Sequence, residues 1–199
     1  FSDQTVAYGL GDTGGVSGGS FADFDNDGQL DLYVANGRVR LGASPTSSST
    51  DPFAEANSLS RGLGGGRFAA VHPEGGTIPL LEATSRGLAA GDLDNDGATE
   101  VVIGDDGGSV RCLSSRTGVT KWVRHLEDPI HTPLALCDVD GDKQLDVLAA
   151  TTLNKAIYKF EAEFNNVIIA IAINGIIADD TIVKKWTNNV DNVVTVKAL

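Results

Sequence analysis

The sequence predicts an all-β protein that is built from short strands in repeated units. Turn-forming residues are dense, since 23 of the 24 glycines and all six prolines precede residue 161. Short apolar runs alternate with these turns, and no window of useful length shows a helical period with capping residues. In addition, one acidic segment occurs three times along the chain. Together these features are typical of β-sandwiches, barrels and propellers.

The predicted strands are six apolar runs that are bounded by turn signals. They are residues 30–35, 100–103, 110–113, 121–125, 145–149 and 156–160. The Ser- and Thr-rich stretch GASPTSSSTD at residues 42–51 interrupts this pattern and is predicted to be an exposed loop. It is either a passive insertion or a carrier of O-linked sugar.

The C-terminal segment differs in composition, which predicts two regions: a repeat domain at 1–160 and a β-rich tail at 161–199. The tail is rich in β-branched residues and has Asn174 followed by Gly175 between two apolar runs. Such an Asn-Gly pair is the strongest short-range hairpin signal. We expect two or three long strands here, which either add a strand to a neighbouring subunit or form a hairpin on their own domain.

The repeated acidic segment is the main functional signal. Its copies are DFDNDGQLD from Asp23, DLDNDGATE from Asp92 and DVDGDKQLD from Asp138, each followed by an apolar strand. We number the residues of each loop from 1 to 9. Carboxylates at positions 1, 3, 5 and 9 and the backbone carbonyl at position 7 can converge on one point, which supplies the hard oxygen ligands that Ca²⁺ prefers. Solvated Asp-rich turns are the alternative, but they do not explain the same placement before a strand three times.

The details of these loops favour calcium and rank the three sites. No Cys or His lies within them, which disfavours Zn²⁺, and Mg²⁺ would demand stricter octahedral geometry. Position 12, which is Glu in an EF-hand, is apolar in every copy. Gly28 and Gly97 occupy position 6, where we expect a positive φ. The third loop has Lys143 there and Gly141 two residues earlier, so we expect the third site to be the weakest.

The charge of the chain restricts its partners. It carries 27 acidic and 15 basic residues, a formal net charge of −12, so nucleic acids and anionic membranes are poor partners and cations are favoured. The longest apolar run, residues 167–173, is too short for the roughly 20 residues of a membrane-spanning helix. Cys112 and Cys137 form one disulfide or remain thiols. Because the chain begins at Phe1 and has no Met, we expect a processed product or a fragment.

The loops and their flanks resemble the FG-GAP/VCBS repeats of integrin-α-type β-propellers. The segments FADFDNDGQLDLYVANG and LAAGDLDNDGATEVVIGDDG carry this likeness, and residues 108–150 resemble a quinoprotein-like blade. The resemblance covers residues 1–160 and implies four-stranded blades with Ca²⁺ in the loop between the first two strands. Only about three blades fit, whereas closed propellers have at least about four, so we expect an open stack or part of a longer ring. The implied ligands are Asp23, Asp25, Asp27, the Gln29 carbonyl and Asp31; Asp92, Asp94, Asp96, the Ala98 carbonyl and Glu100; and Asp138, Asp140, Asp142, the Gln144 carbonyl and Asp146.

These features predict a non-enzymatic, extracellular protein that binds up to three Ca²⁺ ions and has a structural role. Weak surface-loop sites suit the high calcium concentration outside cells. Exposed strand edges favour self-association into a homo-oligomer or filament through the C-terminal strands. The alternative is an adhesive or carbohydrate-binding propeller module of a larger surface protein, with glycans or surface proteins as partners. Catalysis is disfavoured because His72, His125 and His131 lie far from any nucleophile motif.

Overall fold

The structure of the chain is a computed structural model. It describes residues 6–10, 15–38, 51, 53–71, 81–126, 128–139, 141–151, 156–160, 169–172 and 183–184. The regular structure in these residues consists of β-strands, so the predicted all-β class is confirmed for them. No helix that could span a membrane occurs in this part of the chain.

The strands are short and follow one another closely in sequence. They are β1 Val16–Ala22, β2 Asp31–Asn36, β3 Glu55–Ala56, β4 Ser58–Gly62, β5 Phe68–Ala70, β6 Glu82–Ala83, β7 Ser85–Gly91, β8 Glu100–Asp105, β9 Ser109–Ser114, β10 Thr120–His125, β11 Ala135–Cys137, β12 Asp146–Ala150, β13 Ala156–Phe160, β14 Ile169–Ala172 and β15 Val183–Lys184. Each of the six predicted runs coincides with a strand to within two residues at either end. The predicted loop at 42–51 lies outside the described residues except for Asp51.

The strands form three antiparallel meanders, which we call the first, second and third sheets. The first has the order β1-β2-β4-β5, the second β10-β9-β8-β7 and the third β11-β12-β13-β14-β15. Strands β3 and β6 pair in a small additional sheet. None of the described sheets closes into a barrel. The architecture therefore consists of consecutive antiparallel sheets, in line with the predicted all-β repeats, although the third has five strands rather than the four of an implied blade. That these sheets are propeller blades stays a prediction.

The three acidic loops occupy the same place in the three sheets. Each joins the first strand of its sheet to the second: β1 to β2, β7 to β8, and β11 to β12. In every case the position-9 residue is paired with the last residue of the preceding strand. These pairs are Ala22 with Asp31, Gly91 with Glu100 and Cys137 with Asp146. The resemblance to FG-GAP/VCBS repeats implied this placement.

The second sheet is the middle layer of a stack, because both of its faces are covered. Val101 and Ile103 of β8 pack against Tyr33 and Leu59 of the first sheet. The intervening Val102 lies in a second cluster with Val147 of the third sheet. Since neighbouring residues of a strand point to opposite faces, this alternation explains why all six residues of β8 are buried.

The first strands of the sheets lie next to one another, since β7 contacts both β1 and β11. Glycine in β7 makes the approach of the third sheet possible. A Cβ atom at Gly87 would lie 2.5 Å from the backbone oxygen of Thr132, and one at Gly91 would lie 2.8 Å from Leu136 Cδ1. Any larger residue at Gly87 would push these two sheets apart.

Part of the predicted tail extends the third sheet. Ile157 of β13 pairs with Ile171 of β14, which in turn pairs with Val183 of β15. Within the described residues, the tail therefore pairs with its own chain, which was one of the two alternatives. The predicted turn at Asn174 and Gly175 lies outside the described residues, and the boundary at 160/161 stays a prediction.

Both cysteines are thiols in the structure. Cys112 lies on β9 in the cluster between the second and third sheets, and Cys137 ends β11. Burial raises the pKa of the Cys112 thiol to about 12, and the nearby Glu100 carboxylate adds to this effect. Formation of a disulfide between these two residues stays a prediction.

Candidate metal centre

The backbone of the first loop is folded around its own carboxylates. Asp23 accepts hydrogen bonds from the Asp27 N–H (3.0 Å) and the Gly28 N–H (2.9 Å). Asp25 also accepts from the Asp27 N–H, at 3.2 Å. The Gln29 N–H donates to Asp27 at 2.8 Å. These short-range contacts curl the chain so that the side chains at positions 1, 3 and 5 face one another.

The second loop repeats these contacts at the same positions. Asp92 accepts from the Asp96 N–H (3.1 Å) and the Gly97 N–H (3.0 Å), and the Ala98 N–H donates to Asp96 at 2.7 Å. The two loops also touch, because the Asn26 amide of the first donates to the Gly97 carbonyl of the second at 2.9 Å. The sequence repeat is therefore a repeat of local geometry, and the two loops lie side by side.

The third loop also closes around its position-1 carboxylate where the structure describes it, here with an N–H donor at position 4 in place of position 5. Asp138 accepts from the Gly141 N–H (2.6 Å) and the Lys143 N–H (2.9 Å), and the Gln144 N–H donates to Asp142 at 2.8 Å. Asp140, the predicted ligand at position 3, lies outside the described residues. The predicted third site consequently stays a prediction.

Every loop has a positive φ at position 6, as expected. The angles there are +87° at Gly28, +81° at Gly97 and +73° at Lys143. A second positive φ occurs at position 4, where the residues are Asn26, Asn95 and Gly141. This second position was not predicted from the sequence, although Asn and Gly are the residues that most readily adopt such a conformation. The third loop thus reverses the usual order and places its glycine at position 4.

The position-9 carboxylates lie beneath the loops, in the protein interior. Asp31, Glu100 and Asp146 are at most 2% exposed. Each accepts a hydrogen bond from the N–H at position 2, at 2.8–2.9 Å. Asp31 also accepts from the Gly62 N–H at 2.8 Å, which ties the first loop to β4. Their role as metal ligands stays a prediction, whereas their role in closing the loop is visible directly.

Two loops bring three carboxylates together closely enough to share one ion. One oxygen from each of Asp23, Asp25 and Asp27 lies within 4.8 Å of the other two, and the same holds for Asp92, Asp94 and Asp96. The predicted carbonyl ligands are those at position 7. In the structure, the N–H groups of the same residues, Gln29, Ala98 and Gln144, donate to the carboxylate at position 5 of their loop. Ligation through those carbonyls also stays a prediction.

Basic side chains from later strands contact the first and second loops, and these contacts were not predicted from the sequence. Arg61 on β4 lies 2.5 Å from Asp25. Lys121 on β10 places its Nζ 2.6 Å from Asp94 Oδ2 and 2.7 Å from Glu100 Oε1. No sequence signal marks these partners, because the pairing depends on which strand lies beside each loop.

The Lys121 contacts change the protonation equilibria of the second loop. The hydrogen bond from Lys121 lowers the pKa of Asp94, and this effect outweighs the partial burial of the carboxyl group. Burial alone would lower the pKa of Lys121, but its hydrogen bonds to Asp94 and Glu100 raise it well above the usual range. The lysine therefore carries a full positive charge at neutral pH.

The donor set of the second loop fits a hard divalent cation. All of its side-chain donors are carboxylate oxygens, the type that calcium selects. Asp94 Oδ1 is buried and has no hydrogen-bond partner among the described residues. An unpartnered buried carboxylate oxygen is costly, and a bound cation would satisfy it.

Neither a scan against protein-family models nor a search of the curated proteins gives a match. The resemblance to FG-GAP/VCBS repeats therefore stays a prediction that rests on the loop sequences.

Proposed function

We propose that this chain is a calcium-binding β-repeat protein in which ions stiffen the turns between the first two strands of successive sheets. The observation that carries the proposal is the convergence of three carboxylates in each of two equivalent loops. Like charges held this close repel one another, so a bound divalent ion lowers the free energy of the folded state. The number of oxygen donors and the flexible loop geometry favour Ca²⁺ over Mg²⁺.

The test is thermal unfolding with EDTA, with calcium and with magnesium. At 100 times its Kd, calcium should raise the Tm by about 5 °C or more, and magnesium should have a smaller effect. The double variant Asp23→Asn with Asp92→Asn should lose most of the calcium effect. Glu82→Gln, which removes an exposed carboxylate from β6, should keep it. An equal Tm in EDTA and in millimolar calcium would rule the proposal out.

We infer an extracellular, structural and non-enzymatic role from the same features. Exposed loops of this kind bind calcium weakly, which suits the millimolar concentrations outside cells. Calorimetric titration should give a Kd between about 10⁻⁵ and 10⁻³ M. A Kd below about 10⁻⁷ M would instead fit a site that fills inside cells.

We also propose that the protein self-associates. The first sheet has an exposed apolar patch at one edge, since Phe21 of β1 is 58% exposed, is paired with Leu32 of β2 and lies 6.2 Å from the Phe68 ring. Light scattering should show a mass that rises with concentration, and Phe21→Ser should reduce this rise. Leu63→Ser, at a site 52% exposed, is the matched control. A constant monomer mass would exclude the proposal.

Association through the C-terminal strands and binding of glycans or surface proteins both stay predictions. Proline at Ile171 removes a backbone donor from β14, which pairs with both of its neighbours. If oligomers persist in that variant, these strands do not link the subunits. A glycan array with and without calcium tests the adhesive alternative.

A further inference from the structure

We propose that Lys121 is a tethered counter-ion that a divalent cation must displace from the second loop, so that this loop binds calcium more weakly than the first. The inference rests on the proposed function and concerns how the two sites are filled. It assigns different calcium affinities to two loops that have carboxylates at the same four positions.

The position of the ammonium group is the first argument. Lys121 Nζ contacts two of the four predicted carboxylate ligands of the second loop, Asp94 at position 3 and Glu100 at position 9. Glu100 is 1% exposed, and its other oxygen already accepts the Leu93 N–H at 2.9 Å. In the ion-free protein, the lysine thus supplies the positive charge that these carboxylates need.

The first loop provides the contrast within the same molecule. Its position-9 residue, Asp31, uses its two oxygens to accept the Phe24 and Gly62 N–H groups rather than an ammonium group. Within the first loop, as the structure describes it, Arg61 contacts the position-3 residue, Asp25, and the arginine side chain is 52% exposed. An exposed ion pair of this kind contributes little, so a cation meets less competition at the first loop.

The consequence for calcium follows from charge and geometry. An ion coordinated by Asp94 and Glu100 would occupy the region that Nζ now occupies, and two cations cannot lie that close without strong repulsion. Binding at the second loop therefore includes the cost of moving Lys121 away from a largely buried partner. Occupancy should follow an order, with the first loop filling at lower calcium concentration.

The experiment measures the Kd of each loop by calorimetric titration with CaCl₂. Asp92→Asn with Asp138→Asn leaves the first loop intact, and Asp23→Asn with Asp138→Asn leaves the second. Lys121→Met is then added to each background, because methionine keeps an unbranched side chain of similar length, one atom shorter, and removes its charge. We expect Lys121→Met to lower the Kd of the second loop by about tenfold or more and to leave that of the first within twofold. Arg61→Met, the matched variant, should change the Kd of the first loop less than threefold.

Thermal unfolding in EDTA supplies a second measurement. Lys121→Met should lower the Tm of the ion-free protein, and saturating calcium should restore it; if the variant is unfolded in EDTA, calcium should fold it. If both loops bind calcium and Lys121→Met leaves the Kd of the second loop unchanged, the inference is overturned and the proposed function remains intact. Binding at neither loop in any background would overturn both.

Discussion

Single residues decide the shape of each acidic loop through their backbone angles. Positions 4 and 6 both have positive φ, and the loops use Asn, Gly or Lys there. A Cβ atom at Gly28, Gly97 or Gly141 would meet no heavy atom within 4 Å. The preference for glycine at these positions is therefore conformational and does not arise from a lack of space.

Replacement of Lys143 by glycine should stabilise the ion-free protein. Lys143 has a φ of +73°, and an L-residue in this region costs about 1 kcal/mol relative to glycine. Urea unfolding in EDTA should give a gain of up to about this size. Lys143→Ala removes the charge but keeps the Cβ atom, so it should give no comparable gain. An equal gain in both variants would mean that charge, rather than backbone strain, is responsible.

Asp105 at the end of β8 is an acidic residue whose environment opposes its charge. It is 6% exposed, accepts the Ser109 N–H at 2.8 Å and lies 3.9 Å from Arg111 Nε. Burial raises the pKa of the Asp105 carboxyl group, and the hydrogen bond from Ser109 and the charge of Arg111 offset only part of this effect. Because the folded state binds this proton more tightly than the unfolded state does, the residue lowers stability as the pH rises.

Asp105→Asn should remove this pH dependence. The wild-type free energy of unfolding contains a term that falls as the pH rises from about 4, the ordinary range of Asp, through the raised pKa. Asparagine keeps an oxygen that can accept the Ser109 N–H and does not titrate. Denaturation at pH 3.5, 5 and 7 should therefore show the variant gaining relative to wild type as the pH rises. A difference that stays constant over this range would contradict the prediction.

Neighbouring sheets are joined by side-chain hydrogen bonds as well as by apolar contacts, and Arg86 on β7 is the clearest case. Its guanidinium group donates to both oxygens of Asp106, at 3.0 and 3.1 Å, within its own sheet. It also donates to Ser17 Oγ, the Gly37 carbonyl and the Arg38 carbonyl of the first-sheet segment, at 2.9–3.1 Å. One planar group with five donors thus fixes two neighbouring sheets in register.

Removal of the Arg86 hydrogen bonds should destabilise the protein. The side chain is only 16% exposed, so Arg86→Met would leave several acceptors without their donor and cost about 2–4 kcal/mol. Arg86→Lys keeps the charge but loses the fork geometry, so it should recover less than half of this loss. Urea unfolding of the wild type, Arg86→Met and Arg86→Lys measures their order of stability. A lysine variant as stable as wild type would mean that charge alone is sufficient.

At the scale of the whole molecule, the middle sheet holds the stack together. Its β8 contributes Ile103 to the cluster with the first sheet and Val102 to the cluster with the third. A destabilising substitution in this strand should therefore lower the stability of more than one sheet at once. We expect a single cooperative unfolding transition for the described sheets rather than separate ones.

Truncation of Ile103 tests this arrangement. Ile103 is 2% exposed, and Ile103→Ala should lower the free energy of unfolding by about 2–5 kcal/mol because it leaves a cavity between two sheets. Leu63→Ala, at a 52% exposed site, should change it by less than about 0.5 kcal/mol. Calorimetry should show one transition that shifts as a whole. Two resolved transitions in Ile103→Ala would indicate sheets that unfold independently.

The sequence by itself determined the all-β class, the six strand runs and the local loop pattern. These features depend on residues close together in the chain: the bond from the Gly28 N–H to Asp23 joins residues five positions apart, and the pair of Ala22 with Asp31 closes a loop of eight residues. Short-range hydrogen bonds and φ preferences repeat whenever the sequence repeats. The positive φ at position 4 could have been predicted from the sequence in the same way, because this position is Asn or Gly in all three loops.

Only the tertiary structure shows which side chains from neighbouring strands contact the acidic loops. Lys121 reaches Asp94 only because β10 ends the sheet that contains the second loop, and Arg61 reaches Asp25 only because β4 pairs with β2. Burial of Glu100 likewise depends on sheets packed from both sides. Such contacts join residues tens of positions apart, and their distances follow from strand order and register. Two loops with carboxylates at the same four positions thereby acquire different electrostatic surroundings.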